Sequence, residues 1–356
     1  MSIRYALIGC GRIAPNHLPS ALGCGMEVVA LCDINPQAID VLLGRLNLST
    51  LHVKRYSDYQ KMLDCEALDM VAIATDSGSH ASIAKECLSR GIAVLVEKPM
   101  ALSLADADEM LVLSQKNSVL LGVCQQNRFN DASLLVRKAL DSGGFGKLSH
   151  ISVQVRWWRD ADYYAQDAWR GTWEKDGGAL MNQCIHGLDL MRWFGGSEIT
   201  SVSATLANRH HPYLEVEDVG IGFVRFAGGA IGSFEGTTNL YKKNLEERIT
   251  VIGEKGTVVL GGECAQEIEV WEFNDSAIQA LDDGVDLSEQ SSVYGSSHSR
   301  VYADFKRAWE TGCQPMVDGL CGRNALELVL AAYKSHQDEA PVSLPLYGFG
   351  TQAMQL

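Results

Sequence analysis

Short apolar runs alternate with helical patterns over residues 3–123, and this alternation constrains the fold more than any other feature of the chain. Runs that are apolar throughout indicate strands buried on both faces of a sheet. Parallel strands need long crossover connections, which helices of this length supply. The pattern therefore predicts a doubly wound parallel sheet of the α/β class. The predicted strands are 3–8, 27–32, 69–75, 92–96 and 119–123, and the predicted helices are 12–22, 36–46, 80–90 and 103–116.

A glycine-rich turn at residues 9–14 joins the first predicted strand to the first helix. Gly9 permits a tight turn, Gly11 lets the backbone approach a pyrophosphate, and Ala14 is small enough for the helix to pack on the sheet. The N–H groups that begin the helix then face the phosphate. The turn therefore predicts a dinucleotide-binding site. Its predicted contacts are Gly9, Gly11, Arg12 and Ile13.

Asp33 ends the second predicted strand. A carboxylate there accepts hydrogen bonds from ribose hydroxyls and repels a 2′-phosphate, so it favours NAD over NADP. The alternative is that Asp33 only caps the following helix. Loops at the carboxyl ends of later strands also line a cofactor crevice. They supply the candidate contacts Thr75, Ser77 and His80, each of which could equally cap a helix.

The triplet Glu97-Lys98-Pro99 follows the fourth predicted strand, so Lys98 should reach the same crevice. A lysine close to a nicotinamide cation should have a lowered pKa, which suits proton transfer or the positioning of a hydroxyl. Glu97 is expected to orient Lys98 rather than to take part in the chemistry. A lysine with no role beyond solvation is the alternative interpretation.

A second candidate group lies in a helix predicted to open at Gly177 and to continue to Phe194. It places Asn182 and His186 one turn apart, and side chains at i and i+4 share a helix face. An imidazole titrates near neutral pH and suits a general base. A lone helical histidine is more often a packed core residue, so the prediction depends on the dinucleotide site of the first domain.

The pattern changes after about residue 128, where longer strand-like runs dominate and Gly228-Gly229 indicates a hairpin. With 356 residues the chain is long enough for two domains. We predict a dinucleotide-binding domain at 1–123 and an α+β domain at 124–345 with a large, mostly antiparallel open-faced sheet. The acidic, serine-rich segment 277–297 is predicted to be an extended loop, and helices at 301–311 and 322–337 could pack back on the first domain.

Composition excludes several classes of function. The net charge of −14 and the lack of a basic stripe argue against nucleic acid as a partner. No pair among the ten cysteines has Cys-x-x-Cys spacing, so no metal site is predicted. No apolar run has transmembrane length, and no secretory signal precedes the first strand. These features predict a cytoplasmic protein with reduced thiols.

The motifs resemble those of the Gfo/Idh/MocA family of sugar dehydrogenases, in order and spacing, over essentially the whole chain. The resemblance rests on the turn at 9–14, the triplet at 97–99, the helix start at 177–186 and Asp189. It implies a Rossmann domain, an open-faced sheet, NAD(P) and homodimers or homotetramers formed through that sheet. It also identifies Lys98 and His186 with the family's catalytic lysine and histidine.

One departure from the family pattern, at residue 182, bears on the expected mechanism and substrate. Many members carry aspartate at the position of Asn182, and an amide cannot relay a proton as a carboxylate can. The segments 163–174, 181–183, 244–246, 253–257 and 292–295 are similar to one subgroup, the UDP-N-acetyl-2-amino-2-deoxyglucuronate 3-dehydrogenases of surface-polysaccharide biosynthesis. The similarity implies NAD-dependent oxidation of ring carbon 3 of a nucleotide-linked sugar acid. Some of these relatives reoxidise bound NADH with 2-oxoglutarate, which makes that acid a candidate second substrate.

In this interpretation either Lys98 or His186 takes the proton of the hydroxyl, and the other positions it. Arginine forms paired hydrogen bonds to phosphate or carboxylate, which makes Arg170, between Trp169 and Trp173, a candidate anion contact. Arg156 and Arg159, beside Trp157-Trp158, could do likewise, or could belong to a packed sheet face or a subunit interface. The further candidate cofactor contacts are Glu97, Lys98, Gln126, Trp169 and Arg170, and the candidate substrate contacts are Lys98, Arg128, Arg156, Tyr164, Asn182 and His186.

Two alternatives stay open. The first keeps the enzyme class and changes the substrate to a free polyol or simple sugar such as an inositol, which would be bound by carboxylates and amides rather than by arginines. The second is a non-catalytic NAD-dependent sensor on the same fold. Retention of both Lys98 and His186 argues against the second alternative.

Overall fold

The computed structural model describes residues 2–281 and 297–355. The chain forms two compact units, one of Met1–Gln125 with Ser296–Arg323 and the other of Gln126–Gly295 with Asn324–Leu356. The predicted division into 1–123 and 124–345 omits this return of the chain to the first unit, although it allows for late helices that pack back. Most of the predicted loop at 277–297 lies outside the described residues, and its start is wrong because Ser276–Gln279 forms a short helix.

The first unit contains a six-stranded sheet in which every neighbouring pair is parallel. The strand order is that of a doubly wound fold, in which the connections change direction beside the first strand. The predicted Rossmann sheet is therefore confirmed. In spatial order the strands are Lys54–Tyr56, Glu27–Cys32, Arg4–Ile8, Met70–Ile73, Ala93–Val96 and Leu121–Val123. The edge strand Lys54–Tyr56 is absent from the sequence prediction because it is short and polar.

Helices cover this sheet, and their ends follow the local sequence. The Ser103 hydroxyl accepts a hydrogen bond from the Asp106 N–H, so Ser103 caps its helix as predicted. Asn35 and Asp58 cap two other helices in the same way. The helices of this unit are Ala14–Gly23, Pro36–Arg45, Tyr59–Cys65, His80–Ser89, Leu104–Asn117 and Ser297–Thr311, with a 3₁₀ turn at Ser77–Ser79.

The second unit contains an eight-stranded sheet. All neighbouring strands are antiparallel except Leu148–Arg156 and Ile231–Thr237, which pair in parallel. The predicted large, mostly antiparallel sheet is therefore confirmed. In spatial order the strands are Glu267–Phe273, Gly256–Gly261, Glu246–Gly253, Leu148–Arg156, Ile231–Thr237, Val219–Phe226, Ile199–Ala207 and Val342–Ser343.

One face of this sheet packs against the helix Ile185–Phe194, and the other face is open. A Cβ atom at Gly187 of that helix would lie 2.9 Å from a methyl carbon of Val153, so only glycine allows the close packing. On the open face large apolar side chains are more than half exposed, at 52% for Ile221, 64% for Phe223 and 55% for Ile231. The other helices of this unit are Asp131–Asp141, Ala161–Ala165, Ala179–Asn182, Ser276–Gln279 and Gly319–Asp338 from Asn324 onward, with 3₁₀ turns at Gln126–Phe129 and Thr351–Met354. None of the described helices combines the length and the apolar composition that crossing a bilayer would need.

Candidate active site

The glycine turn has the geometry that its sequence predicts. Gly9 has a φ of +94°, and a Cβ atom there would lie 2.4 Å from the Ala74 carbonyl oxygen, so no other residue fits. A Cβ atom at Gly11 would meet nothing within 4 Å, which leaves the backbone of the turn open to a phosphate. Arg12 is exposed, and Ile13 precedes the first helix. The turn therefore fits the pyrophosphate of a dinucleotide.

Asp33 supports this turn instead of capping a helix. Its Oδ2 accepts a hydrogen bond of 2.8 Å from the Cys10 N–H, and its Oδ1 accepts one of 2.8 Å from the Asn35 N–H. Asn35 is the residue that caps the next helix. The alternative reading of Asp33 as a helix cap is therefore wrong, and its carboxylate lies beside the glycine turn, where a ribose could reach it.

His80 links two loops at the carboxyl edge of the sheet. Its Nδ1 lies 2.8 Å from the Pro99 carbonyl oxygen and its Nε2 lies 3.2 Å from the Thr75 carbonyl oxygen. Burial lowers the pKa of His80, so the neutral ring carries one N–H, which we assign to the shorter contact. The ring therefore holds the Pro99 backbone, and this corrects its prediction as a cofactor contact. Ser77 is buried, and Thr75 accepts a hydrogen bond from Ser79.

Glu97 holds the backbone at Lys98 and is itself held by two histidines. Its Oε1 accepts hydrogen bonds from Nε2 of His17 at 2.9 Å and from Nε2 of His298 at 3.2 Å, and its Oε2 accepts one from the Lys98 N–H at 3.2 Å. Burial alone would raise the pKa of Glu97, but the two imidazoles hold it well below the usual range. The ionised carboxylate therefore fixes the backbone of Lys98, whose side chain is half-buried.

Sequence reasoning missed the two histidines and the tyrosine behind them. Nδ1 of His17 lies 2.8 Å from the Tyr302 hydroxyl, which in turn lies 2.8 Å from the Tyr5 hydroxyl. His298 and Tyr302 are about 280 residues from His17 along the chain. No local signal relates residues so far apart, so only the fold shows that they surround Glu97.

In the second unit the predicted helix 177–194 is wrong, because it is broken into Ala179–Asn182 and Ile185–Phe194. Glu217 holds the start of the first segment. Its backbone oxygen accepts a hydrogen bond from the Ala179 N–H, and its carboxylate accepts one from the Leu180 N–H. Asn182 and His186 therefore do not share one continuous helix face. Asn182 instead donates its amide N–H to Asp176 and accepts a hydrogen bond of 2.7 Å from Gln183.

His186 is buried in the first turn of its helix and contacts Gln126. The amide nitrogen of Gln126 lies 3.1 Å from Nε2 of His186. With this orientation of the Gln126 amide, its nitrogen donates and Nε2 accepts, so we assign the ring proton of His186 to Nδ1. The structure therefore pairs two predicted site residues that the sequence did not connect.

Two predicted substrate contacts are corrected. Arg128 donates from Nε and Nη2 to the two oxygens of Asp189, both at 2.7 Å, and its guanidinium carbon lies 5.2 Å from the ring centre of Trp193. Both side chains of this ion pair are almost fully buried. Arg156 donates to Glu235 and Glu246 on neighbouring strands at 2.7–2.8 Å. Both guanidinium groups are therefore committed to carboxylates of the protein.

Arg170 and Tyr164 lie in an aromatic cluster. The Arg170 guanidinium carbon is 4.4 Å from the ring centre of Trp169 and 4.7 Å from that of Tyr163, and its Nε donates to Asp167 at 3.1 Å. Trp173, which also flanks Arg170 in the sequence, is buried with its ring centre 5.1 Å from that of Tyr333. The Tyr164 hydroxyl lies 3.3 Å from that of Thr238.

Family models match both halves of the chain. The model described as an oxidoreductase family with an NAD-binding Rossmann fold matches residues 3–125, and the model of the GFO/IDH/MocA C-terminal domain matches residues 133–259. The chain belongs to the GFO/IDH/MocA family. It is an NAD-dependent sugar dehydrogenase, as the motifs of the turn, the triplet and the helix start indicate.

Two solved structures of the family are similar along the whole chain. Crystal structures of the WlbA dehydrogenases from Bordetella pertussis and Chromobacterium violaceum, each in complex with NADH and UDP-GlcNAcA, are 35% and 37% identical to this chain, with TM-scores of 0.86 and 0.87. Each alignment covers 97% of this chain, with 100% and 96% of the two neighbours. The scyllo-inositol 2-dehydrogenase (NAD(+)) of Bacillus subtilis is 25% identical, with 96% of each chain covered.

The position of Asp33 makes cofactor choice testable. Asp33→Ala should weaken NAD binding by about tenfold or more, because charge-assisted hydrogen bonds to the ribose are lost, and should reduce the discrimination against NADP. Fluorescence titration with both nucleotides measures the two affinities. Asp33→Asn is the matched control, since it keeps an acceptor for the Cys10 N–H and removes only the charge. An unmodified protein that binds NADP more tightly than NAD would contradict this role.

A buried carboxyl behind the His186 helix predicts a pH dependence of stability. Glu247 is 1% exposed and faces Gly187, and neither of its carboxyl oxygens has a hydrogen-bond partner among the described residues. Burial raises the pKa of Glu247 to about 8. Since the folded-state pKa is raised, its contribution to stability is full below the unfolded-state pKa and is lost as the pH rises through about 8.

Glu247→Gln should therefore flatten the decline of stability at alkaline pH. Between pH 6 and pH 9 the unmodified protein should lose about 2 kcal/mol more of its free energy of unfolding than the variant. Urea unfolding at the two pH values measures the difference. Glu246→Gln, at the neighbouring position on the opposite face, is the control and should leave the decline unchanged. Equal declines for the unmodified protein and Glu247→Gln would show that this carboxyl is ionised throughout.

Proposed function

We propose that the protein oxidises the carbon-3 hydroxyl of a nucleotide-linked sugar acid with NAD, and that the substrate is UDP-N-acetyl-2-amino-2-deoxyglucuronate. The observation that carries this proposal is the 35–37% identity, over nearly the whole chain, to dehydrogenases solved with NADH and UDP-GlcNAcA. We also propose a role in surface-polysaccharide biosynthesis. NADH formation with the UDP-linked sugar acid, and none with inositols, is the expected result.

The proposed chemistry divides between two side chains. Bound NAD supplies the acceptor for the hydride that leaves carbon 3. Lys98, whose backbone is fixed by Glu97, hydrogen-bonds the substrate hydroxyl, and His186 accepts its proton at Nε2. For this transfer the substrate hydroxyl has to replace the Gln126 amide as the hydrogen-bond donor to Nε2 of His186. The reverse assignment, with Lys98 as the base, stays open.

Two of the cofactor contacts rest on the glycine turn. The open backbone at Gly11 would hold the pyrophosphate, and Asp33 would hold the ribose. Arg12, Ile13, Thr75 and Ser77 lie in the loops at the same edge of the parallel sheet, where a dinucleotide binds in doubly wound folds. Gln126, Trp169 and Arg170 stay proposals for the nicotinamide half.

An inositol or another free polyol is the second candidate substrate. It is favoured by relatives of 23–25% identity that act on inositols and match nearly the whole chain. The residue at 182 argues against it, because it is an amide, which donates to Asp176, where many family members carry a carboxylate. An NAD-dependent sensor without turnover would need no Lys98 or His186.

Asn182→Asp tests the choice between these substrates. A carboxylate there should repel a sugar acid and raise its KM by about tenfold, which is about 1.4 kcal/mol. The substitution also places two carboxylates in contact, because Asp176 accepts a hydrogen bond from the Asn182 amide. The exchange variant Asp176→Asn/Asn182→Asp restores that hydrogen bond and keeps the new charge at 182. An unchanged KM in the exchange variant, together with a gain of activity on polyols, would exclude the sugar-acid substrate.

We further propose that 2-oxoglutarate reoxidises NADH in the site, that the open sheet face pairs with a second copy, and that the protein works in the cytoplasm. The exposed Ile221, Phe223 and Ile231 support an apolar contact between copies. None of the ten cysteines is in a disulfide, which supports a reducing compartment. Light scattering should show a dimer or tetramer, and Phe223→Glu should lower the mass.

A further inference from the structure

Arg159 differs from the other arginines of its region in the kind of partner it has. Arg156 and Arg170 each donate to a carboxylate, whereas Arg159 has only neutral partners in the part of the chain that the structure describes. Its Nη1 donates to the Trp158 carbonyl at 2.6 Å and to the Asn244 side chain at 3.1 Å. Its Nε is buried and donates to no acceptor among the described residues. Among residues 2–281 and 297–355, no carboxylate pairs with this guanidinium.

Aromatic rings hold this guanidinium in place. Its central carbon lies 5.1 Å from the ring centre of Trp157 and 5.1 Å from that of Tyr163. Rings at this distance stabilise a cation and restrict the plane of the guanidinium group, but they offer no acceptor for its N–H groups. The cation is thus preorganised while its hydrogen-bonding capacity is only partly used.

A hydrogen-bonded path connects Arg159 to the segment that carries His186. Nη2 of Arg159 donates to Oε1 of Gln183 at 2.6 Å, and Nε2 of Gln183 donates to the Asn182 side chain at 2.7 Å. Gln183 is in the break between the helices Ala179–Asn182 and Ile185–Phe194. Arg159 is therefore one side chain away from Asn182, within the same unit.

Leaving a partly buried guanidinium without an acid has a free-energy cost that a bound anion would offset. We propose that Arg159 binds an anionic oxygen of the sugar substrate, either a carboxylate or a phosphate. This rests on the proposed function in that the anion belongs to a sugar acid or a sugar nucleotide. The planar fork of arginine matches both oxyanions, and Asn244 and Gln183 are the neutral acceptors that the anion would replace.

The test uses the full-length protein loaded with NADH and compares the unmodified protein with Arg159→Gln. The ligands are UDP-glucuronate, UDP-glucose, free glucuronate and glucose 1-phosphate, with dissociation constants from calorimetry. If Arg159 binds a carboxylate, the variant should lose about tenfold to a hundredfold in affinity for the two glucuronates and little for the others. If it binds a phosphate, the two UDP sugars and glucose 1-phosphate should weaken instead. Either result supports anion binding by Arg159 and identifies the bound group as a carboxylate or as a phosphate.

Two variants keep the outcome interpretable. Arg159→Lys retains the charge and should keep part of the affinity, which separates anion binding from local packing. Arg156→Gln removes a neighbouring arginine that has acidic partners and should change none of the four affinities. Unchanged affinities in folded Arg159→Gln, shown by normal NADH binding, would overturn the proposal. Binding of the free anions that depends on Arg159, with no turnover of any UDP sugar, would uphold the site and reject the proposed function alone. If none of the four anions binds the unmodified protein, the proposal is also overturned.

Discussion

Replacing His186 with alanine or Lys98 with methionine should lower kcat by about two to four powers of ten, because each removes a group that positions or moves the proton of the substrate hydroxyl. NAD affinity should change little, since neither side chain has to touch the adenosine half of the cofactor. Steady-state NADH absorbance gives kcat, and fluorescence titration gives NAD affinity. These are the largest effects on activity that the proposed roles predict.

The comparison between the two variants separates the two possible bases. If His186 takes the proton, His186→Ala should remove the acidic limb of the pH–rate profile, and Lys98→Met should leave it in place. Gln126→Leu removes the contact to Nε2 without removing the imidazole, so it should keep the acidic limb of the pH–rate profile that His186→Ala removes. A rate near that of the unmodified protein for His186→Ala would transfer the role of base to Lys98.

Arg128→Met should destabilise the protein by about 3–5 kcal/mol, which is the largest effect on stability that we expect. The substitution leaves the almost fully buried carboxyl of Asp189 without the two 2.7 Å hydrogen bonds of the ion pair. Breaking a buried pair costs more than removing it as a whole, because a single charge remains in the core. Denaturant unfolding measures the loss.

The double variant Arg128→Met/Asp189→Leu should recover much of that stability, since no unpaired charge remains. Arg156→Met is the control, because its ion pairs are half-exposed and should contribute only about 0–1 kcal/mol. A loss below about 1 kcal/mol for Arg128→Met would contradict a structural ion pair and return Arg128 to the candidate substrate contacts.

Local sequence predicted those parts of the site that depend on neighbours along the chain. The turn at Gly9 and Gly11 follows from the strand before it and the helix after it, and its backbone has the predicted form. The Ser103 cap and the buried parallel strands are equally local. The expectation that Glu97 orients Lys98 also agrees with the hydrogen bond between its carboxylate and the Lys98 backbone.

The parts that sequence could not predict depend on distant partners. The ion pair of Arg128 with Asp189 spans 61 residues, and the contact of His298 with Glu97 spans 201. At the break after Asn182 the N–H groups of Gln183 and Cys184 both donate to the Ala179 carbonyl oxygen, and no helical periodicity reveals this irregular turn. The sequence shows that an arginine is charged but not which residue it contacts. Arg156 and Arg159 were therefore equivalent candidates until the structure showed acidic partners for Arg156 and neutral partners for Arg159.

The measurement that tests the proposed function most directly is NADH formation by the purified protein with a panel of substrates. The panel holds UDP-N-acetyl-2-amino-2-deoxyglucuronate, UDP-N-acetylglucosamine, myo-inositol and scyllo-inositol, each with NAD and with or without 2-oxoglutarate. The proposed function predicts turnover of the UDP-linked sugar acid alone, and its loss in Lys98→Met. Turnover of an inositol, with no response to the UDP-linked sugar acid under either condition, would contradict it.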